Sequence, residues 1–129
     1  MNKLKTKHII ELNQRLGGSL PDNFNKQRLD NILQLPYKRD AYNEYIYRGA
    51  SAKAAKLACE LYKQKCFSKK NLSTALFAGI ILLKVNGGKI RDYQQDINFL
   101  VEYIRHDDFE KAEAWIRQHY YDKYSAFSG

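Results

Sequence analysis

Three lysines, Lys65, Lys69 and Lys70, lie within the stretch KCFSKKNLST, directly before the apolar run ALFAGIILLKVNG. The free amides and the dipole at the start of a helix favour anions. A helix that begins in this stretch would therefore hold basic side chains beside an anion-binding end. Two interpretations stay open, because the lysines are either solvated surface charges or ligands for an acidic segment of a partner.

The other polar and aromatic residues of the stretch are those of a short loop that leads into a helix. We expect Phe67 to insert into the core, and Asn71 and Thr74 to cap the following helix. Ser73 lies in the first turn of that helix.

A second candidate surface is the segment YKRDAYNEYIYRG, residues 37–49, which carries four tyrosines. Tyr45 and Tyr47 alternate as in a strand, whereas Tyr42 is out of phase, so we expect an irregular flap or a short hairpin. Tyrosine beside basic side chains is typical of protein interfaces. We predict a groove with Lys65, Lys69 and Lys70 on one wall and the three flap tyrosines on the other.

The net charge of +8 is concentrated in the middle of the chain, since residues 37–70 hold nine Lys or Arg against three Asp or Glu. Such a positive field favours an acidic protein or a phosphate-bearing partner. Nucleic acid is the alternative, although no nucleic-acid motif accompanies the charge.

The size of the chain, 129 residues, indicates a single domain over 1–129 with one core. The longest uncharged apolar run is too short to cross a membrane, and the first residues lack the apolar block of a secretory signal, so we expect a cytoplasmic protein.

Cys59 and Cys66 are expected to be buried thiols. The scattered histidines give no metal-ligand spacing, and we predict no metal, cofactor or catalytic residue.

The pattern of apolar residues predicts an all-α fold of six helices. Thr6 is expected to cap the first helix, which Gly17-Gly18 ends, and the second runs from Asn25 to about Leu35, before Pro36. Ser51 is expected to cap the third helix.

The fourth helix is predicted from Asn71 to Val85. It is apolar nearly all round, so we expect it to be the central and most buried helix, closed by Asn86-Gly87-Gly88. Two apolar stripes predict the last two helices. The fifth helix carries the stripe Ile97, Leu100, Val101 and Ile104. The sixth helix follows Asp107-Asp108 and carries the stripe Phe109, Ala112, Ile116 and Tyr120.

The order of these parts resembles Doc toxins of the Fic superfamily. IIELNQRLGGSLPDN is similar to the Doc amino-terminal helix and its Gly-Gly-x-x-Pro turn, and FSKKNLSTALFAGIILLKVNG is similar to the Doc loop with its following helix. The family loop reads His-x-Phe-x-Asp-(Ala/Gly)-Asn-Lys-Arg-Thr. Phe67, Asn71 and Thr74 match this motif.

The remaining positions depart from the family. Lys65 stands in place of the general base, and a lysine, with an ordinary pKa of about 10.4, is already protonated at neutral pH. Lys69 replaces the acidic residue that helps to hold magnesium, Lys70 replaces the small residue, and Leu72-Ser73 replaces the Lys-Arg pair that grips phosphate. The resemblance therefore implies the scaffold without its transfer chemistry.

Three functions follow. The leading hypothesis is a catalytically inactive Doc-like protein that binds a protein partner, such as an acidic segment or an antitoxin-like regulator, in a toxin-antitoxin or prophage system. The first alternative is a phosphotransferase or nucleotidyltransferase in which a buried lysine or a flap residue replaces the lost groups. The second alternative is nucleic-acid binding through the basic middle region. No membrane partner is expected.

Overall fold

The computed structural model describes residues 2–91 and 93–122, and the side chains of residues 2–91 and 96–120. Six α-helices follow one another along the chain, as predicted for an all-α fold. In the described part of the chain, no helix is both long and apolar enough to cross a bilayer. The helices are α1 (Thr6–Arg15), α2 (Lys26–Gln34), α3 (Gly49–Gln64), α4 (Asn71–Val85), α5 (Tyr93–Arg105) and α6 (Phe109–His119).

Several helix ends lie where the sequence predicts them. The Asn25 side chain accepts a hydrogen bond from the Arg28 amide at 3.0 Å and so caps α2. Gly17 and Gly87, which follow α1 and α4, have φ values of 92° and 87°, a left-handed conformation that glycine adopts without a steric penalty. Asp108 caps α6 by accepting a hydrogen bond from the Lys111 amide.

The predicted caps of α1 and α3 are wrong. Thr6 is the first residue of α1, where the cap is Lys5, and its hydroxyl donates to Asp30 on α2 instead of to its own helix. Ser51 lies inside α3, because Gly49 begins that helix. Pro36 follows α2 as predicted, but it belongs to a short 3-10 turn, Leu35–Tyr37.

The central helix is α3 and not α4, so the prediction about burial is wrong. Ten of the 16 residues of α3 are buried, against seven of the 15 of α4. α3 packs against α2, α4, α5, α6 and the 3-10 turn. Phe77 and Val85 leave one side of α4 partly exposed. Cys59 of α3 and Cys66 are buried free thiols, as predicted.

Small residues let α3 and α4 approach each other closely. Gly79 on α4 lies against Ala54 and Ala58 on α3, and a Cβ added at Gly79 would be 3.3 Å from the Ala54 carbonyl oxygen. Large buried side chains of the core include Leu82 and Leu83 on α4 and Leu100 and Ile104 on α5.

The sequence did not predict a short antiparallel strand pair that joins β1 (Gly88–Ile90) to β2 (Tyr120–Asp122). The register pairs Gly88 with Asp122 and Ile90 with Tyr120. Tyr120, which was expected to continue the last helical stripe, is instead the first residue of β2. Its ring lies over Gly88, where no Cβ would fit.

The flap forms a short hairpin, as predicted. Arg39 pairs with Tyr45 in an antiparallel bridge, and the Ile46 amide donates to the Lys38 carbonyl oxygen at 3.0 Å. Asn43 turns the chain at a φ of 61°.

Candidate functional site

The loop of residues 65–70 connects α3 to α4 and has a left-handed residue at each end. Lys65, with φ 44°, ends α3, and Lys70, with φ 65°, directly precedes α4. Left-handed backbone is uncommon outside glycine and costs energy in a lysine, so the surrounding contacts must hold it. The loop is therefore a fixed structure.

The Asn71 side chain holds the loop from within. Its Oδ1 accepts a hydrogen bond from the Phe67 amide at 3.1 Å, and its Nδ2 donates to the Phe67 carbonyl oxygen at 2.9 Å. The Phe67 ring is buried, as predicted, and stacks on Phe24 with 6.1 Å between ring centroids. Asn71 thus clamps the loop instead of capping α4 from outside.

Thr74 joins the loop to α1 through Asn13. The Thr74 hydroxyl donates to the Lys70 carbonyl oxygen at 2.6 Å. The Asn13 Nδ2 donates to both the Thr74 hydroxyl and the Lys69 carbonyl oxygen, each at 3.0 Å. Asn13 is fully buried, so these bonds are shielded from water.

Two further contacts hold the loop from the side of α1 and α2. The Ser68 amide donates to the Ser19 carbonyl oxygen at 3.0 Å, and an Arg28 guanidinium nitrogen donates to the Gln64 carbonyl oxygen at 2.7 Å. The sequence interpretation missed Asn13, Ser19 and Arg28. A signal existed only for Asn13, a polar residue one helical turn after Ile9 and one turn before Leu16.

The lysine side chains of this loop are exposed. The Lys65 ammonium lies 4.0 Å from the centroid of the Tyr62 ring, a favourable cation-π distance. Among the described side chains, those of residues 2–91 and 96–120, neither Lys69 nor Lys70 forms an ion pair. Ser73 is half-buried in the first turn of α4. Two unpaired ammonium groups therefore lie at the amino end of α4.

The flap is attached elsewhere, beside the first half of α3. The Lys53 ammonium donates to the Tyr47 carbonyl oxygen at 2.5 Å and lies 4.0 Å from the Tyr45 ring centroid. The Tyr47 ring packs edge-on against Phe109, with centroids 5.4 Å apart. Tyr42 is 86% exposed.

These contacts place the loop and the flap toward opposite ends of α3. Lys53 and Lys65 are separated by about 18 Å along the helix axis, given a rise of about 1.5 Å per residue. The structure thus brings Lys65, Phe67, Lys69, Lys70, Asn71 and Ser73 together, whereas the tyrosines belong to a separate surface.

Lys53 is the buried lysine that the enzymatic alternative requires. Burial lowers the pKa of its ammonium, and the nearby charge of Arg39 lowers the pKa further. Its nitrogen is already bound to the flap, however. Among the described residues, no three His, Cys, Asp or Glu side chains are grouped as a metal site would require.

The loop can therefore present positive charge in a fixed geometry. The similarity to Doc toxins depends on the sequence segments quoted above and stays a prediction. No protein-family model, curated protein or solved structure matches this chain.

Proposed function

We propose that this protein is a non-catalytic binding protein that holds an acidic segment of a protein partner on the loop of residues 65–70 and the amino end of α4. One observation carries this proposal. The loop backbone is held by interlocking hydrogen bonds to Asn13, Ser19 and Asn71, while the ammonium groups of Lys69 and Lys70 stay exposed and unpaired in the described chain.

A fixed loop lowers the cost of binding. A flexible loop would lose conformational entropy when a partner orders it, whereas a loop already held in one conformation loses less. Exposed charges contribute little affinity individually but guide a charged partner to the surface and raise the association rate. This combination suits a reversible regulatory contact.

The position of Lys65 fits this binding role. Its side chain is exposed and lies on the Tyr62 ring, beside the same loop that carries Lys69 and Lys70. If the chain is a Doc-like scaffold, the partner would be an antitoxin-like or regulatory protein of a toxin-antitoxin or prophage system in the cytoplasm.

Nucleic-acid binding through residues 37–70 has less support, because several cations in that range already have carboxylate partners. Arg48 pairs with Glu44, Lys56 with Glu60 and Lys63 with Asp107. Contacts with a nucleic-acid backbone would compete with these pairs.

The test uses labelled peptides of equal length and increasing glutamate content, with binding followed by fluorescence anisotropy at two salt concentrations. We expect affinity to rise with glutamate content. The double variant Lys69→Gln, Lys70→Gln should lose about tenfold in affinity, since each exposed ion pair contributes up to about 1 kcal/mol. Glutamine keeps a side chain at the left-handed position 70, so backbone strain stays nearly constant.

The matched control is Lys84→Gln with Lys89→Gln, which removes the same charge near the other end of α4, also at exposed positions. An equal loss in both double variants would show that only net charge matters. Peptide binding that is unaffected by Lys69→Gln, Lys70→Gln would place the interface on another face.

A transfer assay with labelled ATP, magnesium and manganese addresses the enzymatic alternative. We expect no labelled protein product, because the base, the metal-holding acid and the phosphate-gripping arginine of the Doc motif are all replaced. A covalent product that is lost on changing Lys65, Lys69 or Ser73 would contradict the proposal.

A further inference from the structure

A large cleft lies at the amino end of α1, between the amino-terminal segment and α2. Its volume is about 820 Å³, which is within the range of roughly 300–1,000 Å³ that is usual for small-molecule sites. Leu4 and Leu33 contribute apolar surface, and Asn2 and Gln34 contribute side-chain amides.

The lining of this cleft is strongly basic. Four lysines line it, against the single carboxylate of Asp30. Asp30 is already engaged, because it accepts a hydrogen bond from the Thr6 hydroxyl and pairs with Lys26 at 3.3 Å. In the described part of the chain, the other three lysines have no carboxylate partner. These are Lys3, Lys5 and Lys7.

The lysines and the leucine of Lys3-Leu4-Lys5 have different surroundings. The chain is extended at Lys5, with φ −98° and ψ 158°. Leu4 packs against the core, while Lys3 and Lys5 are exposed. Lys7 then follows in the first turn of α1.

The wall that carries these lysines is anchored to the end of α4. The Asn2 amide donates to the Asn86 Oδ1 at 2.6 Å, and the Asn86 Nδ2 donates to the Asn2 carbonyl oxygen at 3.0 Å. The Asn2 side chain also donates to the Val85 carbonyl oxygen at 3.0 Å. Further along the same segment, the Lys5 amide donates to the His8 Nδ1 at 3.0 Å. The lysine backbone is thus held in place before any ligand arrives.

We propose that this cleft binds a nucleotide-sized small molecule that carries two or more phosphate groups. Three lysines without a carboxylate partner favour an occupant with several negative charges, and lysine binds phosphate as a point charge. One of them, Lys3, has its ammonium 4.4 Å from the Tyr37 ring centroid. The apolar and amide surfaces suit the uncharged part of such a molecule. This site is independent of the proposed protein-binding loop, because Lys5 lies about 12 Å along α1 from Asn13, which contacts the loop.

The test is isothermal titration of the full chain with inorganic triphosphate, ATP and adenosine. We expect triphosphate and ATP to bind and adenosine to give no measurable heat. Lys5→Gln with Lys7→Gln should weaken ATP binding by about tenfold, since two exposed charge contacts are lost. The matched control, Lys63→Gln with Lys111→Gln, removes the same charge from exposed positions that already pair with Asp107 and Asp108, and should leave binding unchanged.

Several results would overturn the assignment. Absence of binding by both triphosphate and ATP would do so, as would an equal loss in the control variant. If Lys69→Gln, Lys70→Gln removes triphosphate binding and Lys5→Gln, Lys7→Gln does not, the phosphate binds at the loop instead. Tighter binding of a short single-stranded RNA than of ATP, with the same dependence on Lys5 and Lys7, would assign the cleft to nucleic acid.

Discussion

Replacing Thr74 by valine tests whether the loop is held by the hydroxyl group that joins it to α1. Valine has nearly the shape of threonine, so the change removes the hydroxyl without opening a large cavity. Thr74 is 1% exposed, and its hydroxyl forms two hydrogen bonds, one to the Lys70 carbonyl oxygen and one from the Asn13 Nδ2.

The expected loss of stability follows from these two bonds. Each buried hydrogen bond contributes about 1 kcal/mol net, so their loss costs about 2 kcal/mol. The change should leave neither partner of the lost hydroxyl without a hydrogen bond. The Lys70 carbonyl oxygen still accepts from the Thr74 amide at 2.9 Å, and the Asn13 Nδ2 still donates to the Lys69 carbonyl oxygen. We therefore predict a destabilisation of about 2 kcal/mol for Thr74→Val.

Urea unfolding followed by circular dichroism measures this difference. The control is Asn31→Ala on α2, which removes an exposed side-chain hydrogen bond to Gln27 and should change stability by less than about 0.5 kcal/mol. If Thr74→Val is as stable as the unchanged protein, the hydroxyl does not hold the loop, and the rigid-loop argument for partner binding fails with it.

Three further predictions concern packing. Leu83→Ala should cost about 3 kcal/mol and Ile81→Ala clearly less, because Leu83 is fully buried and Ile81 only half-buried; equal losses in urea unfolding would show that the burial of α4 is wrong. Burial raises the pKa of the Cys59 thiol from 9.0 to about 12, so between these values the unfolded chain loses the proton and the folded chain keeps it, and stability falls as pH rises. From pH 8 to pH 10 the free energy of unfolding should fall by about 1.4 kcal/mol more in the unchanged protein than in Cys59→Ala. A difference near zero in urea unfolding would contradict the raised pKa. Gly18→Ala should destabilise the fold by more than about 1 kcal/mol, because the new Cβ would clash with the buried Asn13 side chain; unchanged thermal unfolding would show that Asn13 can move.

The sequence predicted the number of helices and the bounds of α4, but not which helix lies at the centre. The run from Asn71 to Val85 is apolar and ends at Asn-Gly, so its limits are visible locally. Burial depends on what packs around a helix. α3 carries buried polar residues such as Lys53 and Glu60, which lower its hydropathy although its neighbours cover it on several sides.

The candidate site shows the same division between local and tertiary information. Phe67 was correctly expected to insert into the core, whereas Asn71 and Thr74, which were expected to cap α4, instead bind backbone groups of the loop. Asn13, Ser19 and Arg28 lie in distant segments. The apolar stripe of α1 indicates that Asn13 faces the core, but a single sequence does not indicate which distant group it binds. The loop and the flap tyrosines are separated because they contact opposite ends of α3. The sequence alone did not show where along α3 the flap attaches.

The pairing of β1 with β2 has a consequence for local opening of the fold. The two strands flank α5 and α6, so their antiparallel hydrogen bonds, together with the 2.6 Å bond from the Arg91 amide to the His119 carbonyl oxygen, tie both ends of this helical hairpin together. Proteins often unfold in cooperative segments that exchange amide hydrogens as a unit. Because the strand pair joins the two open ends of the hairpin, α5 and α6 should detach together, and the described residues of 88–122 should open as one such unit with β1 and β2 still paired.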